Sequence, residues 1–229
     1  MPYRMTKENL KEHIMVFKWV YLVSALMAGL AFAMIFSVSK PRIPNRNKLQ
    51  IISSEYLDDT ASFYWQEELR AVIPETIAYI EVGTTSGAIG QAADMEVVFA
   101  RMVAQDADLW LINRNYYDGF ASQGAWLALD LPDESGRTLL DRLLIPDSVN
   151  VNDAVTDLQM TDEKGITNGE FERHICGIPL DAVEGLYQLE CYPMDLVAAI
   201  PVYTDNVDEC IAVIQWMLDN KMEYVAYHD

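Results

Sequence analysis

The sequence predicts an α/β fold: a three-layer sheet of mostly parallel strands with helices on both faces, preceded by an N-terminal transmembrane helix. Two observations lead to this prediction. β-rich runs alternate with helical patterns through residues 48–131, and one uncharged apolar stretch near the N-terminus is long enough to cross a bilayer. With 229 residues, 51% of them hydrophobic, the chain can bury one α/β core without disulfide support.

The apolar stretch runs from Trp19 to Val38, 20 residues without a charged side chain. Two interpretations remain open: a signal peptide cleaved after the A-x-A motif at residues 31–33, or an uncleaved signal anchor. The anchor is favoured because the apolar run continues past the motif, beyond the length usual for a signal peptide. Basic residues flank the run on both sides, so charge alone does not orient it.

The anchor interpretation divides the chain into four parts. We expect residues 1–18 to form a cytoplasmic segment, 19–38 the transmembrane helix, 39–47 a short stalk with two prolines, and 48–229 one folded domain. This arrangement predicts a single-pass protein of the cell membrane whose C-terminal domain is extracellular.

The charge is unevenly distributed along the chain. The formal net charge is −19, and residues 1–50 carry eight basic and two acidic side chains, so the remaining 179 residues carry a charge of −25. A body this acidic repels phosphate backbones, which excludes nucleic acid as a partner. For the same reason, a neutral or cationic solute is favoured over an anionic one.

The folded domain begins with a βαβαβ pattern. Its β-rich runs lie at 48–53, 76–82 and 108–112, and its helical patterns run from Asp58 or Asp59 to about 72 and from 94 to 105. The second helical pattern places Val98, Phe99 and Met102 at the spacing of an apolar face. Strands that alternate with helices of this length are joined by parallel crossovers.

The second half of the domain is less regular. It is predicted to contain short helices at 115–124 and 136–144, an extended segment at 126–130, strands at 174–180, 185–190 and 196–200, and a final helix at 205–220. Residues 146–172 are predicted to form a long acidic loop with at most one helical turn. This loop lacks the spacing of an EF-hand, so we expect it to be solvated and not to bind calcium.

Polar side chains follow each of the first three predicted strands. The carboxyl ends of parallel strands meet at one edge of a sheet, and ligands of layered α/β folds bind at that edge. The candidate ligand-binding residues are Glu55, Tyr56, Thr84, Thr85, Asn113, Arg114 and Tyr116. Arg114 is the only basic residue among them, so it is the one candidate anchor for an anionic ligand.

Three segments resemble bacterial extracellular solute-binding proteins, the binding components of ABC transporters. DADLWLIN and FASQGAWLALDL, within residues 106–131, resemble the strand, ligand loop and helix that lead into QGAxLxLD in that family. CGIPL at 176–180 is similar to the return strand of the family. IPVYTDNVDECIAVIQWML at 200–218 is similar to the strand and helix that close its lobe.

The resemblance covers roughly residues 48–131 and 174–220, and it implies one lobe of a type II periplasmic-binding protein. Such proteins close two lobes on a solute, and the whole second lobe lies between the two matching segments. Here only the 42 residues 132–173 lie between them, too few for a second α/β lobe. The resemblance therefore implies a membrane-anchored single lobe that binds a small solute weakly or docks to a transporter or sensor protein of the membrane, within an uptake or sensing system.

A non-catalytic interaction protein that has lost ligand binding is the alternative. Ala25, Gly29 and Ala33 are four residues apart, a spacing that can pair membrane helices into a homodimer, although ordinary small residues of a membrane helix are the favoured interpretation. Exposed aromatic side chains would favour a docking surface, although aromatic residues in such a domain are more often core. The candidates are Trp65, Tyr116, Tyr117, Trp126 and Tyr187. An uncovered apolar patch would distinguish docking from solute binding.

The sequence offers little for catalysis, metal binding or a cofactor. It contains neither a nucleophile-elbow motif nor a phosphate loop, and Cys176, Cys191 and Cys210 lack CxxC spacing. His174 and Cys176 alternate on a predicted strand and so share a face, but two ligands do not make a metal site. We therefore expect no enzymatic activity, no cofactor and no metal.

Overall fold

The computed structural model describes residues 7–39, 44–57, 59–85, 91–161, 167–183 and 195–219. The chain divides into two compact units, Met1–Arg42 and Ile43–Asp229. The first contains helix α1 (Lys7–Ser39). The second, called the domain below, contains strands β1 (Lys48–Ser53), β2 (Tyr79–Thr84), β3 (Leu109–Asn113), β4 (Val155–Thr161), β5 (Thr167–Ile175), β6 (Gly177–Pro179) and β7 (Leu196–Ala199). Its described helices are α2 (Asp59–Leu69), α3 (Gln91–Ala104), α4 (Arg114–Ala121) and α5 (Val207–Leu218), with 3-10 turns at Asn45–Asn47, Leu140–Arg142 and Val151–Ala154.

Helix α1 covers the segment predicted to span a membrane. Its described side chains, such as Trp19 and Phe32, are exposed. Within the described part of the chain, no helix combines the length and the apolar character that crossing a membrane requires. This finding contradicts the transmembrane helix predicted at 19–38. That prediction was based on the length of the uncharged apolar run from Trp19 to Val38.

The main sheet of the domain has five strands in the order β2-β1-β3-β7-β6. Strand β1 pairs in parallel with β2 on one side and with β3 on the other. Strand β7 pairs antiparallel with both β3 and β6. The predicted sheet of mostly parallel strands was therefore wrong, because the sheet is mixed. An apolar run such as Leu196–Ala199 has the same composition in either direction, so only its connections decide how it pairs.

Helices cover both faces of the main sheet. Alternating side chains of β3 divide between the two faces: Leu109 and Leu111 pack with α2 and α5, while Trp110 and Ile112 pack with α3 and α4. On the first face, the indole rings of Trp65 and Trp216 meet edge to face with centroids 5.7 Å apart. The central strand β3 is thus buried on both faces of the sheet.

The segment between the two halves of the main sheet is not the acidic loop that the sequence predicts. Strands β4 and β5 form a separate antiparallel hairpin within it. The prediction was wrong because it depended on charge, and a hairpin with one solvated face tolerates charged residues on that face. Asp157 and Arg173 are cross-strand partners there, with their charged groups 3.7 Å apart.

The βαβαβ prediction is confirmed by β1, α2, β2, α3 and β3, with boundaries shifted by a few residues. The final helix is likewise confirmed as α5. The helix predicted at 136–144 is reduced to the 3-10 turn Leu140–Arg142, and the extended segment at 126–130 contributes one isolated bridge, between Trp126 and Pro201. The strand predicted at 185–190 lies outside the described residues, as do Tyr187 and Cys191.

Candidate binding site

The carboxyl ends of β1, β2 and β3 lie side by side at one edge of the main sheet. Ser53, the last residue of β1, is opposite Thr84 of β2 and Leu111 of β3. The amide of Ser54 then donates to the carbonyl oxygen of Leu111 at 2.8 Å, which extends the pairing beyond β1. The polar residues at the ends of the three strands are consequently neighbours. Glu55, Thr84 and Asn113 are called the edge cluster below.

Within the edge cluster, Glu55 is hydrogen-bonded to both Thr84 and Asn113. The hydroxyl of Thr84 donates to the carbonyl oxygen of Glu55 at 2.7 Å. The side-chain amide of Asn113 lies 3.4 Å from a carboxylate oxygen of Glu55, and the backbone amide of Asn113 donates to the Ser54 hydroxyl at 2.8 Å. These contacts join the ends of all three strands. All three side chains are half-buried, so a ligand here would compete with bonds the residues already make.

Thr85 and Tyr56 differ in exposure from these three residues. Thr85 is buried, and both its backbone amide and its hydroxyl donate to the carbonyl oxygen of Ser53, at 2.8 and 3.4 Å. Its role is to hold the turn after β2. Tyr56 is exposed and leaves the sheet towards solvent.

Through its guanidinium, Arg114 contacts two residues outside the edge cluster, one in the turn before β4 and one after β6. Its guanidinium donates to the carbonyl oxygen of Asp153 and lies 3.6 Å from a carboxylate oxygen of Asp181. Its backbone amide donates to the carbonyl oxygen of Asp195 at 2.7 Å, and Asp181 in turn accepts from the Asp195 amide at 2.7 Å. The charge of Arg114 is thus matched within the domain, so it is a poor anchor for an anionic ligand.

Helix α4 carries the remaining predicted residue, Tyr116, to a different surface. The side chain of Asn113 begins the helix by accepting a hydrogen bond from the Asn115 amide at 3.1 Å. Tyr117 and Ala121 then face the core. Tyr116 lies on the adjacent face and lines a groove between α3 and α4.

This α3–α4 groove has a volume of about 410 Å³. Its aromatic lining consists of Phe99, Tyr116 and Phe120, and its polar lining consists of Glu96, Asn115 and Gln123. The rings of Phe99 and Phe120 stack with centroids 6.5 Å apart, and Phe120 also packs edge to face on the buried Trp126 at 6.1 Å. The aromatic lining is therefore continuous with the core beneath α4.

Phe99 does not occupy the inward position that its helical spacing suggested. Its side chain is 55% exposed, whereas Val98 is fully buried. The apolar face of an amphipathic helix is at least about 100° wide. Helical spacing therefore does not distinguish a residue that faces the sheet from one at the margin of the apolar face. The groove depends on this marginal position.

Gly119 is the remaining lining residue described for the groove. A Cβ atom built on Gly119 would meet no heavy atom within 4 Å, so packing does not require glycine there. Glycine within a helix costs about 0.5–1 kcal/mol relative to alanine. The structural consequence of this residue is that part of the groove surface carries no side chain. An isolated glycine within the helical pattern of α4 was the one sequence signal that could have indicated the groove.

His174 and Cys176 do not form the pair that their spacing suggested. The Nδ1 atom of His174 lies 3.1 Å from Asp130, and its Nε2 atom lies 3.4 Å from Glu172 without forming a hydrogen bond. Burial, followed by the nearby charge of Asp130, raises the pKa of Cys176 to about 12. Since the thiolate is the reactive form and the metal-binding form, this thiol is poorly suited to either task. No group of three or more His, Cys, Asp or Glu is arranged for a metal ion among the described residues.

Compared with protein-family models, curated proteins and solved structures, the chain shows no match. The geometry of the edge cluster and of the α3–α4 groove is therefore the basis for a functional assignment.

Proposed function

We propose that the domain is a non-catalytic, solute-binding-protein-like lobe that holds a small solute in the α3–α4 groove. The observation that carries the proposal is the groove itself. It has a volume of about 410 Å³ and an aromatic lining, and no side chain covers it at Gly119. Small-molecule sites are concave, mainly apolar and furnished with a few polar groups, with volumes of about 300–1,000 Å³. The groove has each of these properties.

The path of the chain also supports the proposal. After β3 and α4 the chain leaves the main sheet, builds the β4–β5 hairpin, and returns to the same sheet as β6 and β7. The resemblance to solute-binding proteins implies this order, with a smaller insertion in place of the second lobe. Without a second lobe to close over the edge cluster, a groove within one lobe becomes the better place to bury a solute.

The groove is favoured over the edge cluster because of the bonds already made there. Thr84 and Asn113 are both hydrogen-bonded to Glu55, and the guanidinium of Arg114 is paired with the Asp181 carboxylate. A ligand at the edge would have to replace these interactions, whereas an apolar ligand in the groove would mainly displace water from exposed aromatic surface.

The proposal is tested by a thermal-shift screen of the full chain against amines, sugars, amino acids and short peptides. A compound bound by the native state raises the melting temperature. We expect a shift with at least one class, and we expect Gly119→Leu to abolish it because the new side chain occupies the groove. Asp118→Leu places the same side chain on the neighbouring exposed position of α4 and should keep the shift.

Two outcomes would contradict solute binding in the groove. One is that no compound of the screen changes the melting temperature at millimolar concentration. The other is a shift of equal size in the wild type and in Gly119→Leu, because such a ligand would bind elsewhere. Gly119→Ala, which adds only a methyl group and favours the helix, shows whether Gly119→Leu acts by blocking the groove or by disturbing α4.

A second candidate function is the interaction protein, which dimerises or docks a partner protein. The observation that favours it is the uncovered apolar side of α3, where Phe99 and Val103, four residues apart, are 55 and 68% exposed. If this surface dimerises the protein, sedimentation of the full chain should give a dimer that Val103→Asp dissociates and Glu134→Gln does not. A concentration-independent monomer would contradict dimerisation.

A further inference from the structure

We infer that the solute of the α3–α4 groove is an organic ammonium ion, with its positive charge beside Glu96 and its apolar part against Phe99 and Phe120. The inference rests on the proposed function, since it names the class of solute for the same groove. It depends on three features of the groove: its charge, its aromatic surface and its polar acceptors.

The charge of the groove is negative. Glu96 is the one residue with a formal charge at neutral pH among the lining residues that the structure describes. Its side chain is exposed, and it forms no ion pair with another described residue. Residues 51–229 together carry a charge of −25, which attracts cations to this surface and repels anions.

The aromatic surface of the groove suits a cation that also carries an apolar group. Phe99 is more than half exposed, and Phe120, against which it stacks, is held in place by the buried Trp126. The face of an aromatic ring carries partial negative charge and attracts ammonium groups within about 6 Å of its centre. The same rings provide the apolar contact that an aliphatic or aromatic substituent needs.

The polar lining provides acceptors for the N–H groups of an ammonium ion. The side-chain Nε2 of Gln123 donates one of its two N–H groups to the carbonyl oxygen of Gly119 at 2.9 Å, and the amide oxygen of Gln123 is an acceptor that a ligand can use. The Glu96 carboxylate is an acceptor by nature. A carboxylate or phosphate ligand would need donors or cations instead, and Arg114 is engaged with Asp181 and Asp153.

The test uses three probes with the same ring and different charge: benzylammonium, benzyl alcohol and benzoate. Their binding to the full chain is measured by isothermal titration calorimetry at low ionic strength. We expect benzylammonium to bind most tightly and benzoate least. We expect Glu96→Gln to weaken benzylammonium binding by up to about fivefold, the range for one exposed charge pair, and to leave benzyl alcohol binding unchanged.

Two controls separate the contact with Glu96 from the charge of the whole domain. Glu134→Gln removes one exposed carboxylate that does not line the groove, and it should leave benzylammonium binding unchanged. Added salt should weaken benzylammonium binding and have little effect on benzyl alcohol, because only the charged probe is screened.

The outcomes distinguish this inference from the proposed function. If benzyl alcohol binds as tightly as benzylammonium, or if Glu96→Gln affects the binding of both equally, the ammonium class is wrong. Loss of binding in Gly119→Leu would still support a solute in the groove. If no probe binds but another class shifts the melting temperature in the screen, the inference fails and the proposed function stands. If neither experiment gives binding, both are wrong.

Discussion

A Cβ atom placed on Gly177 in β6 would lie 2.5 Å from the Cγ1 atom of Val197 in β7. It would also lie 3.0 Å from the carbonyl oxygen of Ala198 and 3.2 Å from a ring carbon of Tyr117. Strand β6 therefore approaches both its neighbour and α4 too closely for any side chain at this position. The glycine within the CGIPL segment is required by packing at the edge of the main sheet.

Gly177→Ala should lower the free energy of unfolding by about 1–3 kcal/mol, since overpacking of a fixed backbone contact forces neighbouring atoms to move. Urea denaturation measures this change. Gly83→Ala, in β2 of the same sheet, is the matched control. Its Cβ would lie 3.7 Å from the Cδ1 atom of Ile52 in β1, which is an ordinary van der Waals contact. Equal losses in the two variants would contradict the packing argument.

Tyr117→Phe should lower the free energy of unfolding by about 1 kcal/mol. The buried Tyr117 hydroxyl donates to the carbonyl oxygen of Ala154 at 2.8 Å, which joins α4 to the turn before β4. That carbonyl also accepts from the Cys176 amide at 3.3 Å, so the variant loses one hydrogen bond and does not leave the carbonyl unpaired. Hydrogen exchange should become faster around residues 151–158. Tyr56→Phe, at an exposed position, should change neither measurement.

Asn206→Ala should be more damaging, with a loss of about 1–3 kcal/mol. The buried Asn206 side-chain amide donates to the Lys48 carbonyl oxygen at 2.7 Å and to a carboxylate oxygen of Asp108 at 3.0 Å, so its removal leaves partly buried acceptors with fewer donors. The control is Asp208→Ala, which removes an exposed ion pair with Arg142 and should change stability by no more than about 1 kcal/mol. A larger loss in Asp208→Ala would overturn this ranking.

Cys176 and Cys210 should not react with a soluble thiol reagent in the native protein at pH 8. Both are fully buried, and burial raises the pKa of each thiol, for Cys176 to about 12. The reactive thiolate is therefore scarce and inaccessible. Peptide mapping after labelling should find both cysteines unmodified without denaturant and modified in urea. Rapid native labelling at either position would be inconsistent with the packed sheet.

The raised pKa of Cys176 also predicts how stability changes in alkali. A thiol ionises near 9.0 in the unfolded chain and near 12 in the domain, so between these values the unfolded state releases its proton more readily. The contribution of the protonated Cys176 thiol to the free energy of unfolding is complete below pH 9. It is lost as the pH rises towards 12, by up to about 1.4 kcal/mol per pH unit. The wild type should accordingly lose more stability than Cys176→Ala between pH 8 and 10.5, measured by urea denaturation. A parallel loss in both proteins would contradict this assignment.

The local elements of the domain were largely predictable from sequence. The run KLQIIS is β1 with the predicted bounds, because its apolar residues are flanked by clear turn signals. The β4–β5 hairpin was missed because its residues are polar, and a strand with one solvated face carries only a weak apolar pattern. The edge cluster could be predicted because the ends of parallel strands must meet at one edge. The hydrogen bond between Glu55 and Asn113 could not be predicted, because sequence spacing does not specify side-chain partners.

The sequence by itself determined the alternation of strands and helices, the acidity of the domain and the residues that lie at the carboxyl ends of β1, β2 and β3. These features follow from periodicity and composition, which are local properties of the chain. The tertiary structure decided that β7 runs antiparallel, that Phe99 is exposed, and that Gly119 lies bare between α3 and α4. These features depend on which surfaces meet after the chain has folded, so residues far apart in sequence determine them together.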